Sequence, residues 1–242
     1  MSVVARLKSV ATLAIVGALV ALGGLTVWAW ARGHPGDVPW TALDITRPPG
    51  AFTPGKVARL RDTPGACEEQ LSRAGVRFTT VAPRTGEQCG YADGVRLRAG
   101  GPLDLRFSPA GLGTSCPVAA GLALWSWNGL QAAARETLGS RVASIEHFGS
   151  FSCRRLYRRD SGPWSEHATA NALDVAGFVL ADGRRISVAR DWSGGDEARF
   201  LHAARDTACS SFTTVLSPDH NAAHRDHLHL DMASRGFGSA CH

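Results

Sequence analysis

The hydrophobic pattern divides the chain into one long apolar run and a later set of short, interrupted ones. Ser9 to Ala31 is 23 residues without a charge. As a helix it would extend ~35 Å, enough to cross a ~30 Å hydrocarbon core. Residues 33–65 then show no sustained period and are rich in Pro and Gly, the pattern of a linker. From Cys67 short periodic segments begin. Cys67 to Ala74 predicts a helix ending at Gly75, and Val76–Val81, Val95–Leu97 and Leu103–Phe107 predict strands. Ser115 caps a predicted helix with Pro117 in its first turn, running to about Leu138. Trp125 and Trp127 on that helix cannot share a face, so one belongs to the core and the other is partly exposed.

Further on, Arg141–Cys153 predicts a strand, and Leu173–Leu180 with Arg185–Val188 a hairpin around Asp182-Gly183. Gly195–Ala208 predicts a helix, and Phe212–Leu216 and His227–Met232 predict strands. Strands and helices in this mixed order give an α+β fold with a mainly antiparallel sheet flanked by helices. The expected organisation is a stub at 1–8, a membrane-spanning helix at 9–31, a linker at 32–66 and a globular domain at 67–242.

Charge fixes the expected orientation of the apolar run. Arg6 and Lys8 precede it, which predicts a cytoplasmic N-terminus, a single-pass inner-membrane anchor and a periplasmic domain. Cleavage near Ala31 is the competing reading, since Ala29-Trp30-Ala31 suits a signal peptidase, and it exports the domain as well. The formal net charge is +5, with only two lysines, Lys8 and Lys56. A basic balance favours acidic partners such as nucleic acid, anionic lipid or an anionic wall polymer, and no basic block with interleaved aromatics points to the first of these. Six cysteines, an even number in an exported chain, predict disulfides. Pairing along the chain would join 67–89, 116–153 and 209–241.

The candidate chemistry lies in two stretches. Seven of the nine histidines fall between His147 and His229, four of them in His220–His229. On a strand, His227 and His229 project to one face with Leu228 turned away. Asp174 stands in an otherwise apolar strand, where a carboxylate is costly unless paired or metal-bound. The bland alternative for Asp174 is a salt bridge to an arginine; Ser165 has two readings, the bland one a cap on the turn that follows it and the other a hydrogen bond to a ligand. With His167, two imidazoles and one carboxylate with a position left open make a catalytic zinc arrangement. His227 is the first candidate for the proton-transferring base, Asp226 its rival, and His224 a residue that orients base or substrate. His147, His202 and His220 read as structural or surface residues.

These stretches carry a resemblance. Ser165-x-His167 with Asp174 is similar to the S-x-H-x-x-G-x-A-x-D motif of LAS zinc peptidases, and His224-x-x-His227-x-His229 to a segment of the penicillin-insensitive murein endopeptidase. More closely, Cys116 through Cys241 resembles the bacterial extensin-like C-terminal domain family, in its SEHA-x-ANALD and NAAHRDH-x-HLDMA blocks. The resemblance implies a LAS/hedgehog-like core with His167, Asp174 and His229 as Zn2+ ligands. It also implies a peptidase that acts on peptidoglycan, as a D,D-carboxypeptidase or a murein endopeptidase. Arg154, after Gly149-Ser150-Phe151-Ser152-Cys153, is similar in place to an arginine that steadies an oxyanion or a substrate carboxylate, with Arg155 as its equal neighbour. The sequence departs from the motif at Ala170, where the family has glycine. The rival readings are a non-catalytic, metal-containing module that binds cell wall or a partner, and a membrane-tethered scaffold without metal.

Overall fold

The uncharged run folds as one helix, α1 (Val3–Gly33), in the computed structural model, which describes residues 3–235 and 239–242. Leu7–Gly33 is long and apolar enough to cross a membrane, and its most apolar stretch buries nothing against the rest of the chain. A helix apolar all round needs a non-aqueous neighbour. Met1 and Ser2 of the predicted stub lie outside the described residues.

Part of the stretch expected to be a free linker is folded onto the domain. α2 (Thr53–Arg59) lies in it, and Ile45, Val57 and Leu60 enter the main core. The Lys56 ammonium donates to Pro35 O (2.7 Å), Val38 O (2.6 Å) and Thr41 Oγ1 (2.8 Å), using all three of its hydrogens. This amine, the Gln70 amide on Leu43 O and Ile45 N–H, the Asp37 carboxylate on Ala51 N–H and a few apolar anchors order the segment, and none of them produces a period in the sequence.

α3 (Pro64–Arg73) starts on a proline and turns Cys67 and Leu71, four apart, into the core. β1 (Phe78–Thr80), β2 (Gly94–Leu97), β3 (Arg106–Ser108) and β4 (Gly113–Ser115) follow, and β1, β2 and β4 form a small antiparallel sheet. Ser115 caps α4 (Cys116–Trp125), in which every residue is buried. A wide π turn at Ser126–Leu130 joins α4 to α5 (Gln131–Leu138). Trp125 is fully buried and donates to Ala204 O, whereas Trp127 stays partly exposed and donates to Pro102 O.

The larger sheet is built from β3 with β5 (Val142–Gly149), β6 (Ala172–Leu180), β7 (Arg185–Ser187), β8 (Thr214–Leu216), β9 (Leu228–Asp231) and β10 (Ala240–Cys241). Its order is β10-β8-β9-β6-β5-β3, with β7 alongside β6. This sheet is mixed, which corrects the mainly antiparallel expectation. β3 runs parallel to β5 and β10 parallel to β8. The first of these pairs follows from the helical crossover α4–α5 between its strands, the connection that a parallel pair requires. α6 (Val188–Asp191) and α7 (Gly195–Ala208) complete the fold. Trp125, Phe178, Phe200 and Phe212 interlock edge to face between α4, α7 and the sheet, at centroid distances of 5.1–6.5 Å.

One irregularity in β6 decides which side chains reach the site. Glu146 pairs with Gly177 but His147 with Val175, so Ala176 is an extra residue, a β-bulge. The bulge reverses the alternation, so Leu173 and Val175 before it and Phe178 and Leu180 after it all join the core. Asp174 is thereby left on the opposite face.

The cysteines pair as Cys67–Cys116, Cys89–Cys153 and Cys209–Cys241. The last agrees with expectation; 67–89 and 116–153 do not. α3 packs across the start of α4, which brings Cys67 to Cys116. The loop holding Cys89 lies against the turn before β6, with Gly90 N–H donating to Ala168 O at 2.9 Å, and so meets Cys153.

Candidate metal centre

Asp174 and His229 are directly opposed in the antiparallel β6–β9 ladder, and so share one face of the sheet. Their neighbours Leu173, Val175, Leu228 and Leu230 point the other way, into the core. His167 arrives from a tight 3-10 turn, Glu166–Thr169, just before β6. Ser165 caps that turn, its Oγ accepting from His167 N–H at 3.3 Å, which is the structural role among the two expected. Ala170 then reverses the chain in the left-handed region at φ +53°, where a glycine sits without cost. Its carbonyl is gripped by Ser115 N–H (2.8 Å), Ser150 Oγ (3.0 Å) and Thr114 Oγ1 (3.1 Å).

Each imidazole spends one N–H away from the centre. His167 Nδ1 donates to Ser150 O at 2.6 Å, and His229 Nε2 to Asp231 Oδ2 at 3.0 Å. Their other nitrogens face Asp174 Oδ1, His167 Nε2 at 3.1 Å and His229 Nδ1 at 2.9 Å, and lie 3.2 Å from each other. With the outward nitrogens holding the hydrogens, two imidazole lone pairs and a carboxylate oxygen converge, an arrangement that suits a cation. Burial works against a charged His229, but the Asp174 and Asp231 carboxylates on either side outweigh it and push its pKa up to about 9. Burial likewise opposes ionisation of Asp174, yet hydrogen bonds from His167 and His229 hold it well below the ordinary carboxylate range.

The same three atoms fit a divalent transition ion. Two imidazoles and one carboxylate are a recurrent zinc donor set, and acceptors behind both imidazoles are what such ligands require. All three ligand atoms lie within 4.8 Å of one another.

The remaining predicted residues surround this cluster. His227 lies one residue ahead of β9 rather than in it, yet its Nε2 still comes 3.5 Å from Asp174 Oδ1. Its Nδ1 is 2.9 Å from Asp226 Oδ1. His224 donates from Nδ1 to Asn221 Oδ1 at 2.9 Å, and its ring centre is 5.3 Å from that of His227. Burial, then the neighbouring histidines, lower the His224 pKa to about 4, so this imidazole is neutral. Arg154 brings Nη2 to 3.9 Å from Asp174 Oδ2, while Arg155 turns away to stack on Trp164. The two arginines, equal in the sequence, are therefore not equal in place.

All of this opens into a groove of about 780 Å³, walled also by Phe148, Tyr157 and His220. His220, expected to be structural or surface, lines the groove with its ring between those of His224 and His242. His147 and His202 lie outside it, bonded to Pro109 O and Trp192 O. Sequence reasoning missed Asp231 and the Ser150 carbonyl. The alternation that joined His227 to His229 also places Asp231 on the same face; nothing local marks Ser150.

Against known proteins, a family model described as "Extensin-like protein C-terminus" matches residues 65–242. No curated protein and no solved structure matches the chain.

Proposed function

Starting from a chain that belongs to the extensin-like protein C-terminus family, we propose that this protein is a zinc-dependent peptidase of cell-wall peptides. In this reading it hydrolyses peptide bonds in peptidoglycan stems or crosslinks, and its core is of the LAS type. The observation that carries the reading is the convergence of His167 Nε2, Asp174 Oδ1 and His229 Nδ1 beside an imidazole that is itself backed by a carboxylate. A purely structural site needs no such imidazole.

His167, Asp174 and His229 would hold the ion, which would supply Lewis-acid polarisation of an amide carbonyl and a nucleophile at neutral pH. The chain's own groups do the rest. His227 Nε2 accepts a proton as the nucleophile attacks and returns it to the departing amine. Asp226 keeps the Nδ1 hydrogen in place and stabilises the imidazolium that forms. Arg154, 3.9 Å from Asp174 Oδ2, stabilises the negative charge that grows on the carbonyl oxygen in this reading. His224, neutral through burial, packs against His227 and limits its orientations. α1 anchors the domain to the inner membrane on its periplasmic side, in keeping with Arg6 and Lys8 ahead of the apolar run.

Digestion of purified peptidoglycan, with and without chelator, tests the proposal by mass spectrometry of the products. Metal-dependent release of peptide fragments is expected. A metal-loaded protein that cleaves no wall peptide would favour a binding module that keeps its metal for stability.

A further inference from the structure

Between β5 and the turn that carries His167, residues 152–164 hold four arginines, Arg154, Arg155, Arg158 and Arg159, against one acid, Asp160. This short segment thus carries a net +3 of the chain's formal +5. Arg154 has Asp174 at 3.9 Å; among the described residues no ion pair involves Arg155, Arg158 or Arg159. Like charges so close repel, and they stay together only where the fold imposes it.

Here the fold does impose it. Cys153 is tied to Cys89, and Tyr157 and Arg158 are both held at φ 55°, an uncommon conformation for residues with a Cβ. The Arg155 guanidinium lies 4.4 Å over the Trp164 ring and donates to Gly162 O; that of Arg159 lies 5.6 Å from the Tyr157 ring. Two residues of uncommon backbone conformation and an excess of positive charge thus share one loop beside the groove. The arginines frame a depression of about 550 Å³ that shares Arg154 and Arg158 with the metal groove. The two depressions therefore adjoin along these two side chains.

We infer that residues 152–164 bind a polymer carrying a row of carboxylates, which lies across Arg155, Arg158 and Arg159 while a neighbouring part occupies the metal groove. Guanidinium forks suit carboxylate and phosphate alike. The choice of carboxylate rests on the wall-peptide reading, since stem peptides carry free carboxylates.

The test uses the full-length, metal-loaded protein in detergent, with fluorescent poly-L-glutamate, polyphosphate and neutral dextran as probes. Poly-L-glutamate should bind, more weakly as salt rises, and dextran should not. Arg158→Glu with Arg159→Glu should weaken binding about tenfold or more, the scale of losing charged hydrogen bonds. Arg98→Glu with Arg135→Glu, the same charge change elsewhere, should weaken it far less. If the first pair melts early or loses metal, Arg159→Glu alone, which leaves Arg158 untouched, replaces it with the same direction expected. No retention of poly-L-glutamate, equal loss in both pairs, or preference for polyphosphate would overturn the inference. Binding is read without hydrolysis. Protein that holds poly-L-glutamate but cleaves nothing would therefore sink the peptidase reading alone.

Discussion

His227 gives its Nδ1 hydrogen to the Asp226 carboxylate at 2.9 Å and turns Nε2 toward Asp174, 3.5 Å away. In the sequence the two neighbours were rivals for one task. In the structure they form a pair in which the carboxylate fixes the imidazole tautomer and its direction.

The first prediction separates their contributions. His227→Ala should retain the metal and lose peptidoglycan hydrolysis by ~10²-fold or more, the scale for removing an acid–base group. Asp226→Asn should lose less, because the imidazole remains in reach. If Asp226 variants abolish hydrolysis with metal retained while His227→Ala is mild, the base is Asp226.

The second concerns the ligands and the group behind one of them. His229→Ala should abolish stoichiometric metal binding, since two ligands rarely hold zinc against a competing chelator. Asp231→Asn should keep the site but weaken metal affinity by ~10- to 100-fold, the usual effect of removing an acceptor from behind a ligating imidazole. Chelator-competition titration reads both. Parent-like affinity in His229→Ala would remove it from the ligand set.

The third concerns Ala170, held at φ +53° under three hydrogen bonds to its carbonyl. A β-branched side chain is strained there, so Ala170→Val should destabilise the fold by ~2 kcal/mol and loosen metal binding through His167. Ala170→Gly should change stability by less than ~1 kcal/mol, because relief of strain is offset by chain entropy and a lost methyl contact. Denaturant melts of the three proteins would show the order; a mild Val variant contradicts it.

Much of the site was legible because it depends on local periods. Leu228, Leu230 and the histidine between them alternate on a strand, and α7 spans Gly195–Ala208 as its pattern predicts. Ser165 caps its turn for reasons contained within a few residues. What stayed hidden depends on contacts between distant segments. The Ala176 bulge, which sends Asp174 out of the core face, appears only in the pairing of β5 with β6. Cys67 finds Cys116 because α3 crosses α4, and no spacing of cysteines encodes that crossing. Lys56 orders the stretch around Pro35–Thr41 through carbonyls that any sequence would offer.

The last prediction concerns stability against pH, at a group outside the candidate metal centre. Asp93 is buried, and its Oδ2 has no hydrogen-bond partner among the described residues. Burial raises its pKa above the ordinary 3.8, while its own backbone N–H, Arg61 and the Cys116 N–H oppose the rise without cancelling it. The folded chain therefore binds this proton more tightly than the unfolded one. Its contribution is fully present below about pH 3.8 and is lost as pH rises through the folded value. Asp93→Asn keeps the shape and removes the titration. The stability of the variant relative to the parent should therefore increase from acid toward neutral pH and then level off. Paired denaturant melts between about pH 3.5 and 7.5 measure this. A difference that does not change with pH would mean that burial is not costly at this carboxyl. A difference that grows toward acid would mean that Arg61 dominates and Asp93 is ionised in the folded protein.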